Sequence, residues 1–115
     1  MTYRIFEGEM PPLNIEGDAL REQICKLLSK SRGSFSFAGF TQSFSHHLLT
    51  NNIGFAIEPN TSYQGKMSFA DIAKIREIIW DLIIERYLTP GGNGHDEWPM
   101  LTITTRGTVY FENYK

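Results

Sequence analysis

The chain has 115 residues, 41% hydrophobic and 21% charged, with eight Phe, five Tyr and two Trp. That is the composition of one folded domain (residues 1–115) with a single aromatic-rich core, and it excludes a disordered chain. The formal net charge of −2 gives none of the basic footprint from which an autonomous nucleic-acid binder draws its affinity.

Cys25 is the single cysteine, so an internal disulfide is impossible and a reducing setting is expected. No apolar run approaches the roughly 20 residues that span a bilayer. The start MTYRIFEGEMPP is charged and lacks the apolar segment of a signal peptide. The expected location is the cytoplasm. Charge is not segregated in a way that favours phosphate: residues 1–50 carry five basic and five acidic groups, and residues 51–115 carry six and eight.

Residues 2–6, TYRIF, alternate and predict a short edge strand closed by Gly8 and Pro11-Pro12. A helix is expected from Asp18 to Ser31, with Asp18 as N-cap, Leu20, Ile24, Leu27 and Leu28 on one stripe, and Gly33 as a left-handed stop. Phe35 and Phe37 alternate like a strand. Phe40, Phe44 and Leu48 recur at helical spacing and predict a short helix over 41–50, ended by Asn51-Asn52. GFAIEP then reads as a short strand and PNTSYQGKM as a polar loop.

The best-defined element starts at Ser68. Ser68 as N-cap and Asp71 at the third helical position form a variant capping box, with Asp71 suited to the positive end of the dipole. Lys74, Glu77, Asp81 and Glu85 share a face with Asp71. Phe69, Ile72, Ile75, Ile79, Leu82, Ile83 and Tyr87 spread over the opposite side, bordered by Trp80 and Ile84. This apolar arc exceeds half the circumference, so contact from at least two directions is expected; Arg76 falls inside it. Thr89-Pro90-Gly91-Gly92 breaks the helix, NGHDEWP forms a loop, MLTITT predicts a strand, Arg106-Gly107 a turn, and TVYFENY a further strand or final turn.

The line IIWDLIIERYLTPGGNGHDEWPMLTITTRG resembles the C-terminal half of bacterial winged helix-turn-helix domains. There a Leu/Ile-rich helix runs into a short strand, a loop, and a strand ending in Thr, two residues and Gly; Leu82-Ile83-Ile84, Tyr87-Leu88 and Thr104-Thr105-Arg106-Gly107 occupy those places. The resemblance covers residues 68–107. It implies an α+β, winged-helix-like fold with three helices and a small antiparallel sheet, the helices at 18–31 and 41–50 being the first two and GFAIEP the small first strand.

For function, the resemblance implies a non-enzymatic binding module, a DNA-associated or transcription-regulatory winged helix. Lys66, Ser68, Lys74, Arg76, Asn93, His95 and Arg106 are then the candidate nucleic-acid contacts. Against that stand Glu77, Asp81 and Glu85, which repel phosphate. The alternative is a protein-interaction or adaptor domain, with a protein partner or homodimer, in which Trp98 is either a plug for the loop or an exposed anchor. An acidic inhibitor or immunity-type protein, presenting Glu77, Asp81 and Glu85 to a basic partner, is a further class.

Enzymatic chemistry has little support. His46 and His47 are helical neighbours pointing about 100° apart, a poor joint metal site. His95-Asp96-Glu97 lacks partners at ligand spacing, and Cys25 lies beside an apolar stripe. Gly91-Gly92-Asn93-Gly94 precedes a strand instead of a helix and lacks the Lys and Ser/Thr of a phosphate loop. No catalytic residue, metal or cofactor is expected, and no membrane.

Overall fold

A computed structural model describes residues 4–92 and 94–115. The fold is α+β, with four helices, a two-stranded parallel sheet and a three-stranded antiparallel sheet. In chain order these are β1 (Arg4–Phe6), α1 (Gly17–Ser29), β2 (Ser34–Ser36), α2 (Phe37–Thr50), β3 (Thr61–Tyr63), α3 (Phe69–Ile84), β4 (Leu88–Pro90), β5 (Met100–Ile103) and α4 (Thr105–Phe111), followed by a 3₁₀ turn at Glu112–Tyr114.

Local start and stop chemistry marks α2 and α3, whereas α1 runs from Gly17 to Ser29 after an uncapped Glu16, so the expected Asp18 lies inside its first turn and the helix closes at its C-cap Lys30, before Gly33. Ser36 and Ser68 accept hydrogen bonds from the amides of Gly39 and Asp71, capping α2 and α3. The C-terminus of α2 is closed by Asn52, at φ 54°, while the Ile53 amide reaches back to the Leu48 carbonyl at 3.0 Å. At the end of α3, Arg86 takes φ 68° and the Arg86 and Tyr87 amides return to Ile83 and Leu82, both at 2.9 Å. That pairing is a Schellman cap. The core between the helices contains Leu20, Ile24 and Leu28 from α1, Phe40, Phe44 and Leu48 from α2, and Ile75, Ile79 and Leu82 from α3.

The antiparallel sheet has the order β2-β5-β4, with Phe35 opposite Leu101 and Pro90 also opposite Leu101. Leu88 and Leu101 carry it into the core. The parallel pair β1-β3 aligns Arg4 with Thr61 and Ile5 with Ser62. The segment after β1 is tied down at three points: Met10 N–H to Lys66 O, Leu13 N–H to the Asp71 carboxylate, and Asn14 N–H to Gly54 O.

Several expectations are corrected. The described residues contain four α-helices instead of three: TVYFENY lies in α4 and the turn after it, and Arg106-Gly107 sits inside the first helical turn. GFAIEP contributes an isolated bridge between Phe55 and Leu13, not a strand, and the strand between the first two helices is β2. The polar stretch PNTSYQGKM contains β3. The second helix starts at Phe37, four residues before the expected Thr41. Of the strand expected over 2–6, Thr2 and Tyr3 lie outside the described residues.

Candidate functional site

The helix α3 presents two unlike faces. Ile75, Ile79 and Leu82 are fully buried, and Asp71 joins them with only 2% of its surface exposed. Its carboxylate accepts from Leu13 N–H at 3.0 Å and Ser68 O–H at 2.9 Å, so it is a tie inside the fold and does not share the solvated face with Glu77. On the opposite side Phe69 is 90% exposed, Ile84 74% and Trp80 40%, with the half-buried Ala73 between them. The broad apolar arc is therefore two stripes back to back, only one of them covered. Isolated exposed apolar side chains are ordinary; several aligned on one helix face mark a contact surface.

Charged groups border the open stripe. Arg76 and Lys74 are both exposed, but they are two residues apart and project about 160° from each other around the helix. They flank the stripe on opposite sides and do not merge into one basic patch. Glu77 and Asp81 are exposed on the Lys74 side. Glu85 is engaged: both of its oxygens accept from Arg21 at 3.0 Å, and Arg21 also donates to the Tyr110 hydroxyl. It thus ties α3 to α1 and α4, and the acidic stripe available to a partner shrinks to Glu77 and Asp81.

The loop between β4 and β5 closes against this helix. The half-buried Trp98 ring packs 5.0 Å from Phe37 and 5.4 Å from Trp80. The plug role of Trp98 is what the geometry displays, and through Trp80 the plug adjoins the open stripe. His95 is exposed near the loop tip, where its backbone pairs with Gly92; Asn93 lies outside the described residues. Arg106 sits at the start of α4 with its guanidinium 5.3 Å from the Tyr87 ring centre. The Lys66 side chain is exposed while its carbonyl holds Met10 N–H, and Ser68 caps α3. The candidate phosphate contacts are thus spread over several elements.

The remaining titratable candidates are structural in placement. Cys25 is fully buried, and burial pushes its thiol up to about 11, away from the thiolate a nucleophile needs. No group of three or more His, Cys, Asp or Glu side chains among the described residues is placed to hold a metal ion. No helix is long and apolar enough to cross a membrane among the described residues.

His47 Nε2 lies 3.2 Å from Gln23 Oε1 and its ring stacks 6.2 Å from Phe44. Burial, then Lys30 and Lys26, lower its pKa from 6.5. The unfolded chain therefore binds the proton more tightly than the folded one, so this contribution is present above the unfolded value and is lost as pH falls from there through the lowered folded value. Chemical denaturation should show stability declining as pH falls below about 6.5, with His47→Gln flattening that decline. An unchanged slope would remove His47 as its source.

Two features escaped the sequence reading. Phe69 was expected on the apolar side and Ile84 at its border, and both are solvent-facing; the apolar arc exceeding half the circumference was their signal. The Arg21–Glu85–Tyr110 cluster had none, because its members come from three separated helices. No protein-family model, curated protein or solved structure matches the chain.

Proposed function

We propose that this chain is a non-catalytic binding module of winged-helix topology whose recognition surface, the outer face of α3, takes a protein partner. The sheet order β2-β5-β4 and the succession α1-β2-α2-α3-β4-β5 support the winged-helix reading, with the parallel β1-β3 pair and α4 as additions. The observation that carries the protein-binding reading is the exposed stripe of Phe69, Trp80 and Ile84 opposite the buried one. Covering Phe69 or Ile84 removes apolar surface from water at a gain of roughly 2 kcal/mol each. Phosphate gains nothing from that surface, and Glu77 and Asp81 beside it oppose a nucleic acid.

The test is site-specific photocrosslinking in cells, with benzophenone side chains at positions 69 and 84 and a control at the exposed Glu22 of α1. Protein adducts are expected at both α3 positions and not at the control. Absence of adducts, together with saturable binding of duplex DNA in low-salt anisotropy, would overturn this reading. It would transfer the function to nucleic acid, the second reading that the winged-helix topology supports through Lys66, Lys74, Arg76 and Arg106.

A further inference from the structure

We infer that the partner of this face is a second copy of the chain, with the two α3 helices side by side and parallel about a two-fold axis. The inference rests on the reading of the α3 stripe as a protein-binding face and names its occupant.

At about 100° per residue, Phe69, Trp80, Ala73 and Ile84 fall in that angular order within an arc of about 60°. Arg76 lies about 50° to one side of the middle of this arc and Glu77 about 50° to the other. The apolar seam therefore has a cation on one flank and an anion on the other, one residue apart along the helix. Both are exposed, and neither has an ion-pair partner in its own chain among the described residues.

Symmetry turns that asymmetry into a choice of partner and orientation. Parallel pairing about a two-fold axis brings the left flank of one helix against the right flank of the other at the same level. Arg76 then meets the second copy's Glu77, and Glu77 meets its Arg76, so two ion pairs bracket the seam. Antiparallel pairing brings like flanks together and sets Arg76 against Arg76 and Glu77 against Glu77 near the axis, which is repulsive. A face shaped for a basic partner would carry acid on both flanks, and one shaped for an acidic partner would carry base. One of each is the self-complementary pattern of an isologous interface.

The seam itself suits this pairing. Ala73 meeting its own copy lets the backbones approach, with the large side chains of Phe69 and Trp80 on either side of that contact. From Phe69 to Ile84 the stripe runs about 22 Å along the helix. A helix pair of that length covers less than the roughly 800 Å² per partner of a standard interface, so the expected dimer is reversible and of micromolar affinity.

Sedimentation equilibrium of the whole chain is expected to show a concentration-dependent monomer–dimer equilibrium. Arg76→Glu and Glu77→Arg should each weaken it about tenfold, because every single swap creates two like-charge contacts. The double swap R76E/E77R should recover most of the loss. Ala73→Cys should form a disulfide-linked dimer on mild oxidation, with the buried Cys25 silent. All of these substitutions are on the outer face of α3, and unchanged thermal melts would certify the fold. A monomer at every concentration, a double swap no better than the singles, or a dimer that Ala73→Cys fails to link would each overturn the parallel pairing. The benzophenone adducts separate this failure from that of the underlying reading: adducts heavier or lighter than twice the chain keep the protein-binding face but reject the second copy, whereas no adduct at all rejects both.

Discussion

Asp71→Ala should cost about 3 kcal/mol of stability, visible as a fall of about 10 °C in Tm. The carboxylate is almost wholly buried, and burying a charge is unfavourable unless its oxygens are satisfied. Here the α3 N-terminus supplies a favourable field, and one oxygen accepts from both Leu13 N–H and Ser68 O–H. Truncation would strand the Leu13 amide in the interior and release the Ser68 hydroxyl that caps Asp71 N–H. Because Leu13 also bridges to Phe55, the loss should loosen the segment linking β1 to α1. Hydrogen exchange at the Leu13 amide should accelerate with the fall in stability. Asp71→Asn keeps an acceptor in the same place and should retain about two-thirds of the stability that alanine loses. A D71A variant as stable as the parent would show that this tie is dispensable. The substitution also leaves the open stripe of α3 untouched, so it separates effects of folding from effects of binding.

The contrast between Asp71 and Glu77 shows what kind of information the sequence holds. Both acids sit on the same helix, and helical periodicity groups them on one face. Local chemistry was readable: the Ser68–Asp71 cap and the end of α2 at Asn51-Asn52 depend on neighbouring residues and stand as expected. The burial of Asp71 depends on Leu13, far off in the chain, and the engagement of Glu85 depends on Arg21. No local pattern reports such partners. The start of α2 was missed for a different reason. Phe35 and Phe37 alternate like strand residues, and Phe35 is indeed in β2, but Ser36 caps a helix that begins at the very next residue. The strand reading holds at Phe35 and fails at Phe37, the first residue of α2.

The candidate site was legible as an excess and not as a surface. More apolar residues occupy α3 than one core contact can use, and periodicity detects that excess without saying what covers it. In the folded chain the second stripe meets solvent, apart from the Trp80–Trp98 contact. Two of the candidate DNA contacts, Lys74 and Arg76, do not share a patch because residues two apart on a helix point away from each other. Charge counting along the sequence gives the balance of the face, while only the helix gives its left and right.

Gly107→Ala is expected to destabilise the chain by about 3 kcal/mol, against the usual sign for a helical position, where alanine is favoured over glycine by about 1 kcal/mol. Gly107 is buried in the first turn of α4, with its amide donating to the Thr104 hydroxyl at 2.8 Å. Thr104 in turn donates to the Arg86 carbonyl at 2.7 Å, and its own amide reaches the Tyr87 carbonyl at 3.1 Å. The start of α4 is thereby drawn onto the backbone that leaves α3. A Cβ on Gly107 would overlap the Tyr87 carbonyl oxygen and press on Ile103. A backbone carbonyl cannot rotate away as a side chain can, so α4 itself must move. The stack of Tyr110 on Tyr87, with ring centres 3.8 Å apart, lies on the same contact and should open with it. Near-ultraviolet circular dichroism reads that loss directly. If G107A melts at or above the parent temperature with its aromatic signal intact, the close approach is not what fixes this glycine. If it melts lower and the signal fades, the Thr104-Thr105-Arg106-Gly107 pattern acquires a physical meaning: threonine caps the last helix, and glycine leaves room for it to dock.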